Sequence, residues 1–350
     1  MHCKMKYGII QPTYALTNNS GVMVQCKMWA EGLRKLGHEV LLINFWDKNE
    51  WKSFDAIIVV SFSLGLRILI KDLFKNNANL VMAPIIDPSI PAWRYKFYCK
   101  WWGNQKYLGL TSRFHDLWLS KDWFKLWLVR SEEERHYTNY CLERSQKIIK
   151  KVPLHFRIPP IEEMPLKENF CFHASRLAST NKNVPRLIEA AKKYGFNLKL
   201  AGYLHGVLEK NWLETLIGDA ENIEYVGEVS EKELWNLYKH AKVFALPSLQ
   251  EGVGMVALEA AAYGCEIVLT NYGAPKEYYG GRAILVNPMN VDEIGEAIMT
   301  AMNRGYAQPE LMYYMNENYS EKACCQLLDK YIQEAISCLL YTSDAADDRI

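Results

Sequence analysis

Two glutamates eight positions apart, Glu251 and Glu259, stand in the string Pro247-Ser248-Leu249-Gln250-Glu251-Gly252-Val253-Gly254-Met255-Val256-Ala257-Leu258-Glu259-Ala260. A strand ends at Pro247. Gly252 and Gly254 then let the backbone turn tightly and approach a ligand. A helix starting near Gly254 would aim its first amide hydrogens out of the sheet edge. Carboxylates accept hydrogen bonds from vicinal hydroxyls, so one glutamate could hold a sugar and the other a ribose. An ordinary strand–loop–helix, with Glu251 only complementing the helix dipole at roughly 0.3–1 kcal/mol, would use the same residue types.

Two weaker constellations accompany it. Ser175-Arg176-Leu177 and Lys182-Asn183 follow the first strand of the second half. A cationic pair there can neutralise a diphosphate, Arg with a planar fork and Lys as a point charge, or it can be a solvated surface pair. Thr17-Asn18-Asn19-Ser20-Gly21-Val22 lies between the first strand and the first helix. Gly21 would let main-chain amides meet a phosphate. The chain has no G-x-G-x-x-G fingerprint, no Asp-x-Asp and no His/Cys cluster with ligand spacing, so neither a plain dinucleotide site nor a metal is expected.

The elements that must position these residues alternate twice over. Apolar runs lie at 7–10, 40–45, 56–61, 80–86, 125–131 and 147–152. A second set lies at 169–174, 197–201, 223–226, 243–246, 266–270 and 283–286, with helical periodicity between many of them. Alternation of this kind predicts an α/β fold with parallel sheets covered on both faces. Two sets joined by the Pro-rich stretch Pro153–Pro165 predict two Rossmann-like domains, 1–165 and 166–340, with ligands beyond the carboxyl ends of the strands. The last helix is free to pack back on the first domain. Residues 341–350 lack an apolar face and read as a disordered or foreign tail.

The totals agree with a globular protein. The 350 residues exceed what one core usually serves. Hydrophobic residues make up 49% and charged residues 23%. Nothing near the start looks like a signal peptide, and the longest apolar stretch, 56–70, is interrupted by Arg67 and too short to span a bilayer. Nine cysteines without C-x-x-C spacing read as buried free thiols in a reducing compartment. The expected location is the cytoplasm, with the protein free or peripheral on the membrane face. Charge divides unevenly: 24 basic against 15 acidic residues over 1–165, and 17 against 25 over 166–350. A basic first half suggests that it faces something anionic.

Together these strings resemble the group-1 (family four) retaining glycosyltransferases of GT-B architecture, two Rossmann-like domains facing each other across a cleft. The resemblance runs almost continuously from Phe172 to about Ala301. It takes in Arg176-Leu177, Lys182-Asn183, Gly227, Leu246-Pro247-Ser248, the Glu-x7-Glu of Glu251 and Glu259, Gly264, Gly273–Glu277 and Leu285-Val286-Asn287-Pro288. It is thinner in the first half, at Ser20-Gly21-Val22, Leu36-Gly37-His38-Glu39-Val40 and Arg130-Ser131-Glu132. It implies transfer of a sugar from a nucleotide-sugar donor, UDP- or GDP-linked, to a glycan or lipid-linked hydroxyl acceptor, in surface polysaccharide or glycolipid assembly. It implies no cofactor, no metal and no nucleic acid. Arg176 and Lys182 would bind the diphosphate, and Glu251 would contact the donor sugar. The amides of Gly252, Val253, Gly254 and Met255 would face sugar and phosphate, Glu259 would hold the ribose, and Gly21 would close over the phosphates. Many relatives carry a histidine after the fourth strand of the first domain. Here the region reads Ala83-Pro84-Ile85-Ile86-Asp87-Pro88, which leaves Asp87 or His115 to fill that place. The unmatched histidine keeps open a non-catalytic nucleotide-sugar-binding protein on the same fold.

Acceptor recognition is expected in the first half. Residues 93–106 hold six aromatics, four basic residues and no acid. That mixture fits an anionic membrane surface or a sugar-stacking groove, and equally a helix whose aromatics fill the core.

Overall fold

The computed structural model describes residues 4–12, 21–44, 48–86, 90–102 and 112–337. The chain divides into two compact units, 1–154 with 321–350, and 155–320. The division falls within the Pro-rich join, between Leu154 and His155, and the last helix counts with the first unit.

The first unit runs β1 (Lys6–Ile10), α1 (Gly21–Lys35), β2 (Glu39–Leu42), β3 (Ala56–Val60), α2 (Leu66–Asn76), β4 (Leu80–Ala83), α3 (Ala92–Lys100), α4 (Arg113–Ser120), β5 (Leu126–Val129), α5 (Glu132–Leu142) and β6 (Ile149–Lys151). Its six strands are parallel in the order β2-β1-β3-β4-β5-β6. The run Ala-Ile-Ile-Val-Val of β3 is buried on both faces, as a central parallel strand must be. Each of its large side chains contributes about 1.5–3 kcal/mol of burial, an upper figure because the unfolded chain already hides some surface.

The second unit runs β7 (Glu168–Ala174), α6 (Val184–Tyr194), β8 (Leu198–Ala201), α7 (Gly206–Ile217), β9 (Ile223–Gly227), α8 (Glu231–His240), β10 (Ala241–Leu246), α9 (Met255–Ala262), β11 (Glu266–Thr270), β12 (Ile284–Val286), α10 (Val291–Arg304) and α11 (Glu310–Tyr319). Its strands are parallel in the order β12-β11-β10-β7-β8-β9. The helices start and stop where local chemistry dictates. Pro185 sits in the first turn of α6 and Gly195 ends it at φ +73°. Ser230 and Glu233 form a reciprocal capping box on α8. Asn290 accepts the amides of Asp292 and Glu293 to open α10.

The final helix, α12 (Glu321–Ser337), belongs to the first core, where Leu328 and Ile332 join residues of β1, β3 and α1. A polar anchor fixes it. Asp329, 4% exposed, accepts from Tyr7 Oη at 2.7 Å and from Gln333 Nε2 at 2.8 Å, and His38 Nε2 lies 3.1 Å away. The Nδ1 of His38 accepts the Met5 amide at 3.2 Å. The Leu36–Val40 string thus keeps its histidine for holding this helix. A Cβ on Gly32 would come within 2.1 Å of Cys325 Sγ, so α1 and α12 approach at a residue with no side chain.

Candidate donor site

Strand order locates the site in the second unit. From β7 the chain winds outward through β8 and β9, then returns to place β10 on the other side of β7. The carboxyl ends of β7 and β10 therefore flank the topological switch point, where ligands bind in open parallel sheets. The loops after those strands carry Arg176–Asn183 and Pro247–Gly254.

Side chains and backbone lock four such loops together. Leu249 donates its amide to Asn181 O at 2.8 Å, and Asn181 Nδ2 donates to Gln250 O at 2.5 Å. Asn183 is buried, with φ +57°, and its Nδ2 donates to Pro247 O at 2.9 Å and to Pro288 O at 2.6 Å. Asparagine tolerates this left-handed backbone better than most residues. Gly273, at φ +82°, lies so close that a Cβ there would meet Glu251 O at 2.5 Å.

Within this frame Lys182 Nζ donates to Glu251 Oε2 at 2.7 Å, and Ser248 Oγ donates to the same oxygen at 3.1 Å. The side chains of Lys182 and Glu251 keep 22% and 13% exposure. Gly254, at φ +72°, precedes α9, so Gly252, Val253, Gly254 and Met255 carry the backbone around its N-terminus. The first helical bond runs from Ala257 to Gly254 O, ahead of which the amides of Met255 and Val256 stand. A lysine held by a carboxylate thus stands beside a helix N-terminus, and the cation and the helix end are the parts that attract anions. Arg176 is the freest member, with its side chain 66% exposed and its nearest acid, Glu209, 3.8 Å off.

Glu259 lies within α9. It is fully buried, with Oε1 accepting from Arg157 Nε at 2.6 Å and Oε2 from Tyr238 Oη at 3.3 Å. Sequence reasoning missed Arg157 because it lies 102 residues away, in the Pro-rich join, where no periodicity marks it.

It also missed His173, at the end of β7. Nδ1 lies 2.8 Å from Ala245 O and must donate to that carbonyl, so Nε2 accepts from Ser175 Oγ at 2.7 Å. Burial pushes this imidazole down to about 4. The Ser175 hydroxyl proton is thereby committed inward. Gly202 backs the same loop: a Cβ there would stand 1.7 Å from Ser175 O.

In the first unit Gly21 opens α1 in open space, while residues 17–20 lie outside the described residues. Asp87 also lies outside them. Its neighbour Ile86 gives its amide to the buried Glu134 at 2.6 Å, and Arg130 Nε bonds the same carboxylate at 3.0 Å. His115 must be corrected: it is 5% exposed and its Nδ1 bonds Cys99 O at 2.8 Å, so the ring joins α4 to α3 and is not offered to a ligand. The seven described cysteines are buried and free. Among the described residues no three His, Cys, Asp or Glu side chains gather as a metal site.

Two parallel-sheet Rossmann-like units, one with this switch-point site, define the GT-B class of fold. Solved structures show the same architecture. Sucrose-phosphate synthase from Thermosynechococcus elongatus aligns with a TM-score of 0.71 over 96% of this chain and 100% of that one, at 13% identity. Anabaena HepE, solved with UDP and glucose, aligns at 0.68 over 94% and 100%, also at 13% identity. At this identity the likeness is one of fold. Residues 156–322 match the family model described as glycosyl transferases group 1. Among curated relatives, the O-antigen chain mannosyltransferase B of Escherichia coli is 30% identical over 128 residues, 35% of this chain and 34% of that protein. An uncharacterized glycosyltransferase of Methanocaldococcus jannaschii is 31% identical over 144 residues, 40% of this chain and 39% of that protein. The aligned stretch therefore spans a little over a third of each relative's length.

Proposed function

We propose that this protein is a retaining glycosyltransferase that moves a sugar from a nucleotide-sugar donor to a hydroxyl acceptor in surface polysaccharide or glycolipid assembly. The observation that carries the reading is the Lys182–Glu251 pair beside the N-terminus of α9, at the switch point of the unit that matches the group 1 family model. In this reading Lys182, Arg176 and the α9 amides neutralise the diphosphate as it leaves, which is electrostatic stabilisation without a divalent ion. Glu251 faces the donor sugar. The leaving phosphate itself takes the acceptor proton on the same face, so no histidine base is required. The UDP named in the HepE structure supports a nucleoside diphosphate, and the mannosyltransferase relative supports a polysaccharide product.

The acceptor is held by a membrane in this reading, with the enzyme in the cytoplasm and peripheral to an anionic surface. Trp93, Phe97 and Trp101 recur every four residues along α3 and its end, and are 66%, 44% and 66% exposed. Arg94, Lys96 and Lys100 flank them, and the helix has no acid. Aromatics with basic flanks suit the headgroup region. No helix among the described residues is long and apolar enough to cross a membrane.

The test is thermal-shift and calorimetric titration with UDP, GDP, ADP and dTDP and their sugars, with and without EDTA. One diphosphate should stabilise the protein in either condition, and its sugar should be transferred with the anomeric configuration kept. Absence of any stabilisation, with divalent metal present too, refutes the reading.

A further inference from the structure

A groove of about 540 Å³ opens beside α3 in the first unit, a volume ordinary for small-molecule sites. Its walls are rings: Trp93, Phe97, Tyr98 and Trp102 from α3 and its end, and Phe114 from α4. The rings pack on one another. Tyr98 stacks on Phe114 with 5.9 Å between centroids, and Trp102 lies 6.1 Å from Phe97 and 6.2 Å from Tyr98. Arg94, Tyr98 and Trp102 recur every four residues, a stripe beside that of Trp93, Phe97 and Trp101.

One cation stands in this wall. Arg94 lies 5.7 Å over the Tyr98 ring and gives Nε to Tyr98 Oη at 3.0 Å. The other cations of α3 are spent elsewhere: Lys96 Nζ lies 3.0 Å and Lys100 Nζ 3.2 Å from Glu143 Oε1. Arg94 meets no carboxylate among the described residues, so the Nη groups of its fork keep their donors for an oxyanion. The remaining lining residue, Ser112, caps α4 by accepting the His115 amide at 3.2 Å. No described lining residue carries a carboxylate or an amide. A sugar calls for acceptors to meet its hydroxyls, and a hydrocarbon calls for none. Ring walls with one donor-only cation therefore match a hydrocarbon chain that ends in phosphate.

We propose that this groove holds the phosphate and the first chain segment of a lipid-linked acceptor, with Arg94 donating to the phosphate oxygens and the rings covering the chain. This rests on the membrane-held acceptor of the reading above. The exposed row of Trp93, Phe97 and Trp101 suits any lipid surface, and the groove selects the lipid that carries the acceptor.

The experiment is calorimetric titration of geranyl phosphate, farnesyl phosphate, geraniol, inorganic phosphate, dihexanoyl phosphatidic acid and mannose into wild type, Arg94→Gln and Trp102→Ala. Co-sedimentation with vesicles of phosphatidylglycerol and phosphatidylcholine runs beside it. Both substituted side chains are exposed, and thermal melts check that the fold is kept. Farnesyl phosphate should bind about tenfold or more tighter than geranyl phosphate, because added carbons are buried. Geraniol and inorganic phosphate should each bind about tenfold or more weaker than geranyl phosphate. Arg94→Gln should lose about tenfold or more on both isoprenyl phosphates and nothing on geraniol, the loss of a charge-assisted bond. Trp102→Ala should weaken geraniol and the isoprenyl phosphates alike. Equal affinity of wild type and Arg94→Gln for farnesyl phosphate, or tighter binding of mannose, overturns the proposal. So does phosphatidic acid binding as tightly as farnesyl phosphate, since the groove would then take ordinary phospholipid. If wild type sediments with the anionic vesicles but binds no isoprenyl phosphate, the membrane reading stands and the groove assignment falls. If it does neither, both fall.

Discussion

Replacing Lys182 by methionine separates a structural from a functional lysine. At 2.7 Å from Glu251, two unit charges attract by about 6 kcal/mol at an effective dielectric near 20. Desolvation and the remaining exposure of both side chains reduce the net contribution to about 1–3 kcal/mol. A domain of this size loses about 2–4 °C per kcal/mol, so the ligand-free midpoint should drop by roughly 2–12 °C. Ligand stabilisation is a separate quantity. A diphosphate at about 100 times its Kd adds about 2.7 kcal/mol to wild type. If Lys182 also makes a charge-assisted bond to the phosphate, Kd rises roughly 10- to 150-fold, and the same concentration adds only about 0.3–1.4 kcal/mol. Differential scanning fluorimetry over a ligand series reads both effects. A lowered midpoint with the full ligand increment retained would show that Lys182 only ties two loops together, and the cationic site would lose its anchored member.

Three further outcomes are expected. Asp329→Ala leaves Tyr7 Oη and Gln333 Nε2 without their acceptor and removes the carboxylate beside His38; it should destabilise the protein by about 2–4 kcal/mol in chemical denaturation, without altering nucleotide affinity. Gly202→Ala forces a Cβ to within 1.7 Å of Ser175 O at φ +148°, so the Arg176 loop must shift. Diphosphate affinity should fall by about tenfold or more in calorimetry, because a charge-assisted contact is misplaced. His173 stays neutral in the folded protein down to about pH 4, whereas the unfolded chain takes up that proton below about pH 6.5. Between those values the unfolded state binds more protons, so stability should fall as pH is lowered from about 6.5 toward 4, by up to about 3 kcal/mol from this group. Denaturation at pH 7 and pH 4.5 should show a smaller acid loss for His173→Gln than for wild type.

How much of this was legible depended on distance along the chain. Central parallel strands buried on both faces read as continuous apolar runs, and the strands of both sheets stand where the apolar runs predict. Gly254 and Gly273 announced the loops because only backbones with positive φ need glycine there. The strand order was not legible, since the placing of β10 beside β7 depends on packing and not on local pattern. The fate of His115 was not legible either. A histidine on an amphipathic helix has the same spacing whether it meets solvent, substrate or a carbonyl, and here the carbonyl is Cys99 O, sixteen residues earlier.

The glutamate pair shows where such reading stops. The eight-residue spacing placed Glu251 ahead of α9 and Glu259 within it, and both positions are as expected. Spacing says nothing of what each carboxylate meets. Glu251 meets a lysine 69 residues earlier, and Glu259 meets an arginine 102 residues earlier. A buried carboxylate must be paired or protonated, since an isolated charge in an apolar setting costs far more than a domain can spare. The presence of Glu259 within an otherwise apolar helix, Met255–Ala262, therefore demanded a cation or several donors. Only folding could say which of the chain's 41 basic residues answers that demand. Because the answer is Arg157, the stability losses of Glu259→Gln and Arg157→Gln should not add in the double variant, which chemical denaturation reads directly.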